Sequence, residues 1–360
     1  MAKNDYKKEL KKIKELDREW YSIRSIIGND WAMFYILLGG REAGKSYAVT
    51  EFYVRQFQKY GRPFYWMRLT EESARKLLTN NAEKLVDPDL RRRFNLDLTT
   101  IDSNVYNVVA RTKDGKIKKK QLMARVLSIS TYYNDKGSGL FDKDFLKDPN
   151  MYYNICLDEM NREQNERKSF DIVYSFTNQL ENLVRSTKKR LRVICVGNTL
   201  DEASDLLCAF NFIPEEFGRY YLKSKRCVID YIEPTQKYLT RRKGTVADIL
   251  SPDASTFTNK IDVDTTLIRK NVKLYKPLYV LVFNKDEKYT VWNNHLICPY
   301  NKENIKQIAM RPYIDGLVYD KNLKDTIFAI FDARGFTYRN LITQKKFKKS
   351  LELANPRKNG

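Results

Sequence analysis

The residues best suited to chemistry begin with a glycine-rich loop at positions 39–46, GGREAGKS, which matches the phosphate-loop pattern G-x4-G-K-[ST] in full. Its glycines let backbone N–H groups point at a polyphosphate, at the positive end of the helix that follows. We expect Lys45 to reach the β- and γ-phosphates and the Ser46 hydroxyl to ligate Mg2+. The loop predicts a site for ATP with Mg2+; a chance glycine-rich turn is the alternative. The expected nucleotide contacts are Gly39, Gly40, Arg41, Glu42, Ala43, Gly44, Lys45, Ser46 and Tyr47.

A pair of acidic residues, Asp158 and Glu159, follows an apolar run at 151–157 that is typical of a buried strand. Asp158 is suited to hold the magnesium ion, and Glu159 to polarise the attacking water as a general base. Strands often end in acidic turns, so this pair alone is a weak signal. Downstream of a phosphate loop in an α/β pattern, it indicates the second half of a nucleotide hydrolase site.

The segments around these motifs alternate between strand and helix patterns. An apolar run at 33–38 predicts a strand before the loop, and apolar residues at helical spacing over 47–60 predict a helix after it. A further buried strand over 191–198 ends in Asn198. The pattern favours an α/β fold with a mostly parallel sheet over residues 1–212, of the P-loop class that has an additional strand between the two motifs.

Asn198 stands where that class of ATPase carries a polar sensor, which hydrogen-bonds the γ-phosphate or the attacking water. We therefore take Asn198 as a catalytic candidate. The alternative is a turn-forming asparagine that only caps the next helix.

The rest of the chain is less specific. Residues 3–20 predict an amphipathic helix, packed on its own domain or on a neighbouring subunit. Residues 213–252 are interpreted as a basic linker or small subdomain, and 253–360 as a smaller α+β domain. Its strands are predicted at 274–283, 288–292, 295–297 and 327–331. A β-hairpin is predicted over 104–130, and its tip carries Lys113, Lys116, Lys118, Lys119 and Lys120.

The composition favours a polyanionic partner. The 360-residue chain has 66 Lys and Arg against 45 Asp and Glu, a net charge of +21. No apolar run approaches the roughly 18 residues of a membrane span, and no signal peptide is evident, so nucleic acid is favoured over a membrane. The five scattered cysteines and the single histidine, His295, offer neither a zinc site nor a histidine-based triad. We expect a cytoplasmic protein.

Three motifs, GGREAGKSYAV, NICLDEMNRE and RLRVICVGNT, resemble those of the DNA-packaging ATPases of small tailed bacteriophages of the phi29 type. The resemblance covers residues 30–200, and beyond them only the layout matches. It implies a homopentameric ring on the viral portal that moves double-stranded DNA into a procapsid, with a structural RNA in some relatives. It also implies that the C-terminal domain is like an RNase H-type nuclease that has lost its active site.

The same resemblance implies roles for individual residues. Arg185 matches the trans-acting arginine finger if the alignment slips by one residue; a helix C-terminal cation is the alternative. Lys136 matches a second trans-acting lysine, and Arg41 an arginine that senses the γ-phosphate. Independently of the resemblance, the charge of the chain favours a phosphate-backbone contact at the hairpin tip, with a solvated surface as the alternative. The expected DNA contacts are Lys118, Lys119, Lys120 and Arg162.

Two other functions stay open from the sequence. One is a helicase or a DNA-transfer ATPase of the conjugation type. The other is a basic nucleic-acid-binding scaffold whose ATP site never turns over, which Glu159 argues against. Nuclease activity is not expected, because the strand at 279–284 has no acid at the first metal-ligand position, Asp286 and Glu287 fall in a turn, and Asp332 is isolated.

Overall fold

The computed structural model describes residues 19–135, 152–162, 170–184, 191–198, 204–251, 265–274, 276–301, 304–314 and 316–354. The chain forms two compact units, one of residues 1–200 with 214–262 and one of residues 201–213 with 263–360. Three predictions lie outside the described residues: most of the amphipathic helix at 3–20, and the trans-acting roles of Lys136 and Arg185.

The strands of the described residues are β1 (Phe34–Gly39), β2 (Phe64–Arg68), β3 (Leu98–Ile101), β4 (Asn104–Arg111), β5 (Ile117–Ser128), β6 (Tyr153–Asp158), β7 (Leu191–Asn198), β8 (Gly218–Leu222), β9 (Cys227–Tyr231), β10 (Pro277–Val282), β11 (Lys288–Trp292), β12 (Leu296–Pro299), β13 (Gln307–Ala309) and β14 (Thr337–Tyr338). The α-helices are α1 (Lys45–Tyr60), α2 (Glu71–Ala82), α3 (Pro88–Arg93), α4 (Ile172–Val184), α5 (Asp205–Ala209), α6 (Gln236–Arg242), α7 (Val246–Leu250), α8 (Lys321–Asp332) and α9 (Leu341–Ala354). Within the described ranges, none of these helices is long and apolar enough to cross a bilayer.

The first unit is built on a nine-stranded sheet, in the order β3-β4-β5-β2-β6-β7-β1-β9-β8. The six strands from β5 to β9 in this order pair in parallel, and the strands at each edge are antiparallel. β7 lies between β1 and β6, so an extra strand separates the two motif-bearing strands. This mostly parallel α/β sheet fits a P-loop ATPase fold, as predicted.

The central strands are buried along nearly their whole length because parallel strands are covered on both faces. All six residues of β6 and all five of β9 are buried. α1 covers the sheet with Val49, Tyr53 and Phe57, and the Tyr53 hydroxyl donates to the carbonyl of Ile155 at 2.9 Å. The core therefore fixes the helix that follows the phosphate loop onto the strand that precedes Asp158.

The predicted β-hairpin is confirmed as β4 and β5. In the turn, the Thr112 N–H donates a hydrogen bond to the carbonyl of Lys116 at 2.8 Å. Gly115 adopts a φ of 77°, a conformation that favours glycine. The lysines of the tip are exposed.

The structure differs from the prediction over residues 213–252. Gly218–Tyr231 forms an antiparallel pair at the sheet edge, β8 and β9, instead of a linker or a small subdomain. The basic composition that suggested a linker comes from the turn Lys223–Arg226 and from helix α6, while β8 is an edge strand without a fully buried residue. Charged and half-exposed residues are what an edge strand requires.

The second unit has a five-stranded sheet, in the order β13-β10-β11-β12-β14. β10, β11 and β12 form an antiparallel meander, with β13 parallel to β10 and β14 parallel to β12. Phe347 is fully buried against an aromatic cluster of Phe283, Tyr289, Phe336 and Tyr338. Residues 345–349, KKFKK, are therefore part of helix α9, and Phe347 anchors this helix to the core.

The strand predicted at 327–331 is wrong, because these residues lie in helix α8. A short apolar run cannot be assigned by period alone. Asp320 caps the start of the helix, and its carboxylate accepts from Leu323 N–H at 3.1 Å. Leu323, Ile327 and Phe331, spaced by four, pack on the core of the unit.

We expect Ile155→Ala to lower the free energy of unfolding by about 2–5 kcal/mol, because Ile155 is fully buried in the central strand β6. Ile101→Ala is the matched control, since Ile101 is 41% exposed on β3, and its cost should be about 1 kcal/mol or less. Urea denaturation of the two variants measures both values. Equal losses would contradict the burial assigned to β6.

Candidate nucleotide site

A cavity of about 600 Å³ opens at the carboxyl edge of the parallel strands. Its walls come from the phosphate loop and the start of α1, and from the ends of β2, β6 and β7. The parallel register places Gly39 beside Asn198, and Asp158 beside Val196. Sequence-distant motifs therefore meet at one edge because their strands are neighbours.

Two residues of the phosphate loop have a left-handed backbone conformation, as in the turns that form anion-binding nests. Gly44 adopts a φ of 83° immediately before α1, where a glycine is favoured. Glu42 adopts a φ of 60°, a left-handed conformation that is uncommon for a residue with a side chain. Arg41 and Glu42 are exposed, whereas Ala43 is buried. The nine predicted nucleotide contacts thus lie along one continuous loop and helix start.

The Lys45 side chain is buried in this loop. Its Nζ donates to the carbonyls of Gly39 at 2.9 Å and Gly40 at 2.6 Å, and lies 3.5 Å from Asn198 Oδ1. Burial lowers the pKa of Lys45 to about 8, and the nearby Asp158 carboxylate opposes that shift. Two backbone carbonyls of the loop therefore hold the ammonium group at the cavity.

The predicted magnesium ligands, Ser46 and Asp158, are in contact. The Ser46 hydroxyl donates to Asp158 Oδ1 at 2.9 Å. Asp158 is 3% exposed; burial raises the pKa of its carboxyl group, while Arg68 and Ser46 act in the opposite direction. Mg2+ prefers oxygen ligands, commonly one or two carboxylates with substrate phosphates. The hydroxyl–carboxylate pair fits that ion.

Arg68, at the end of β2, is a site residue that the sequence reasoning missed. Its guanidinium pairs with Asp158 Oδ2 at 2.8 Å and also with the Glu159 carboxylate. The register of β2 and β6 pairs Met67 with Leu157, so the next residues, Arg68 and Asp158, lie side by side. The available signal was a charged residue closing an apolar strand, in the same way that Asp158 closes β6.

Glu159 is in the turn that leaves β6. It adopts a φ of 56°, and its side chain is 59% exposed at the cavity. The turn is tied to β7, because Met160 N–H donates to the carbonyl of Val196 at 2.9 Å and Asn161 Nδ2 to that of Asn198 at 3.2 Å. These hydrogen bonds therefore fix Glu159 beside the candidate sensor.

Gly197 allows the turn at 159–161 to pack closely against the end of β7. A Cβ atom at Gly197 would lie 2.9 Å from Met160 Cε and 3.0 Å from Asn161 Nδ2. The sequence showed this glycine only as part of a strand ending.

Tyr47 links the loop helix to α3. Its hydroxyl donates to Asp89 Oδ2 at 2.7 Å and accepts from Arg93 at 2.8 Å. Tyr47 also lines the cavity. Its predicted nucleotide contact is compatible with this position, and α3 fixes its ring.

The predicted DNA-binding residues lie away from the cavity walls. Lys118, Lys119 and Lys120 are exposed on β5, and the Lys120 ammonium lies 4.3 Å from the centre of the Tyr106 ring. Arg162 is half-buried, bonds to the carbonyl of Phe170 and lies 4.6 Å from the centre of its ring. The lysines are available to a ligand, whereas Arg162 already has a local partner.

Comparison with known proteins supports the resemblance drawn from the motifs. The chain is 22% identical over 274 residues to the proteins named DNA packaging protein of Bacillus phages phi29 and PZA, covering 74% of this chain and 73% of each relative. It matches a chain of the bacteriophage phi29 viral genome packaging motor assembly with a TM-score of 0.65 and 17% identity, over 94% of this chain and 100% of that one. It also matches a chain of the Phi-28 DNA packaging motor, with a TM-score of 0.59 and 13% identity, over 93% of this chain and 97% of that one. No model of a protein family matches. The fold is thus shared along nearly the whole length.

We expect the affinity for Mg-ATP to fall about tenfold between pH 7 and pH 9. The pKa of Lys45 is about 8 in the free protein, so the ammonium is lost as the pH rises, and a bound polyphosphate requires the charged form. Calorimetric titration at several pH values measures this dependence. Lys45→Arg stays charged throughout this range, so its affinity, though lower, should be flat. An equal pH slope in Lys45→Arg would assign the titration to another group.

Proposed function

We propose that this chain is the ATPase of a viral genome-packaging motor, which hydrolyses ATP to move double-stranded DNA into a procapsid. The observation that carries the proposal is the contact of Ser46 with Asp158, beside Lys45 and Asn198, in a chain with the fold of phage packaging motors. A phosphate loop joined to an acidic strand end is the arrangement of a P-loop ATPase.

The chemistry is divided among the chain's own groups. Lys45 exchanges its carbonyl partners for the β- and γ-phosphate oxygens, and the loop N–H groups bind the rest of the triphosphate. Ser46 and Asp158 would hold Mg2+, which would supply positive charge to the phosphates. Glu159 accepts a proton from the attacking water, and Asn198 orients that water or the γ-phosphate. Arg68 must release at least one carboxylate for this to occur, because it pairs with both in the free protein.

The likeness to phage packaging motors also supports neighbouring subunits and the viral portal as partners. We propose a homopentameric ring in which Lys136 and Arg185 act on the site of an adjacent subunit, and Arg41 senses the γ-phosphate. A positive charge brought to the transferred phosphoryl group accounts for rate effects of about 10³–10⁵ in P-loop NTPases. A structural RNA is a further candidate partner.

We propose that the second unit is a nuclease-like domain of RNase H type without cleavage activity. What supports this is the antiparallel meander of β10, β11 and β12 with β13 parallel to β10. Asp286 and Glu287 lie in the turn after β10, where the Asn284 side chain bonds both of their backbone N–H groups. The unit is then left to grip DNA or to contact the portal.

Glu159→Gln should reduce ATP turnover by about 10²-fold or more while Mg-ATP still binds, since the amide cannot accept the proton from water. Glu72→Gln, an exposed carboxylate on α2, serves as the control and should keep the parental rate. Duplex-stimulated phosphate release and nucleotide binding are measured on the same preparations. Unchanged turnover in Glu159→Gln would remove this residue from the mechanism, and strand separation by the parent protein would favour a helicase.

Replacing Lys118, Lys119 and Lys120 together by alanine should weaken duplex binding and flatten its dependence on salt. The logarithm of the binding constant falls with the logarithm of the salt concentration, and every lysine–phosphate pair that is removed makes this slope less steep by about 0.9. A triple alanine variant of Lys59, Lys76 and Lys223 removes equal charge from other exposed positions. If both variants change the slope equally, the hairpin is not a preferred DNA-binding surface.

A further inference from the structure

Three side chains of helix α6 hold the outer backbone of the phosphate loop. The Tyr238 hydroxyl donates to the carbonyl of Arg41 at 2.9 Å, and Arg242 Nη1 reaches the same carbonyl at 3.3 Å. Arg241 Nη2 donates to the carbonyl of Glu42 at 2.6 Å. One helix therefore satisfies the carbonyl groups of two successive loop residues.

The loop needs such partners because of its conformation. When successive N–H groups turn inward to form an anion-binding nest, the carbonyl groups turn outward and need donors of their own. The left-handed conformation of Glu42 persists only where its surroundings fix it. The next carbonyl, that of Ala43, accepts from Tyr21 N–H at 3.0 Å. The outer side of the loop is thus braced at three consecutive residues.

The charges of α6 also compensate a charge in the loop. Glu42 places a carboxylate beside the cavity, where it repels a triphosphate. Arg242 Nη1 lies 3.3 Å from that carboxylate, and the Arg242 side chain is only 6% exposed. Arg241 is fixed in place against Trp20, with its guanidinium 3.5 Å from the ring centre.

We propose that Tyr238, Arg241 and Arg242 are positioning residues, which hold the phosphate loop in its anion-binding conformation before the nucleotide arrives. Arg242 additionally cancels the charge of Glu42. These side chains bond the loop from its outer side and act on the substrate through it. This inference rests on the proposed function, because it requires a triphosphate at this loop.

The test measures binding of Mg-ATP and of tripolyphosphate to the full chain, together with steady-state turnover. Arg241→Ala and Arg242→Ala should each raise Kd and KM about ten- to a hundredfold, as expected when a charge-assisted hydrogen bond is removed. Tyr238→Phe loses one neutral donor and should raise them about two- to tenfold. The kcat at saturation should change by less than about threefold, because the reacting groups are untouched. Lys243→Ala, exposed at the end of α6, should bind as the parent does.

A second substitution separates positioning from a general loss of structure. Glu42→Gln added to Arg242→Ala should recover about tenfold of the affinity, because the uncompensated carboxylate is removed. A structural defect in α6 predicts no such recovery, so its absence would overturn the role of Arg242. Parental Kd in all three α6 variants would overturn the whole inference; should an arginine variant fail to fold, Tyr238→Phe still decides. A parent protein that binds no Mg-ATP would instead refute the proposed function.

Discussion

The site depends on one buried carboxylate, Asp158. A carboxylate with 3% exposure is destabilising unless charge and hydrogen bonds compensate it. Here the compensation comes from Arg68 on the adjacent strand and from Ser46 at the start of α1. Both partners reach Asp158 only because the sheet places β2 and β7 on either side of β6, with β1 beyond β7. The strand order thus brings the site together. It matters because Asp158 carries a charge that needs these two partners.

Much of the first unit could be predicted because its signals are local. The phosphate loop, the acidic strand end at 158–159 and the strand ending in Asn198 each carry their own pattern, and a parallel sheet brings such ends to one edge. Arg68 could not be assigned in the same way. Its role follows from the pairing of β2 with β6, which is a long-range property of the sheet. The hydrogen bond from Arg241 to the loop is equally non-local.

Two predictions were wrong because they relied on the composition of a segment and not on the spacing of its apolar residues. Residues 218–231 contain basic and aromatic residues that resemble a linker, yet the fully buried run of β9 pairs with β1 and extends the sheet. Residues 327–331 are apolar enough for a strand, but a capping aspartate at 320 and a spacing of four make them helical. In both segments, the residues around the ambiguous run determined whether it became a strand or a helix. Phe347 shows a similar effect, because it is buried within a lysine-rich run.

The close packing at Gly197 has a mechanical consequence. Met160 and Asn161 pack against this glycine and hydrogen-bond the carbonyls of Val196 and Asn198, so the turn carrying Glu159 is tied to the strand end carrying Asn198. A side chain introduced at position 197 would therefore press on Met160 and Asn161 and disturb Glu159 and Asn198 together, although neither residue was altered.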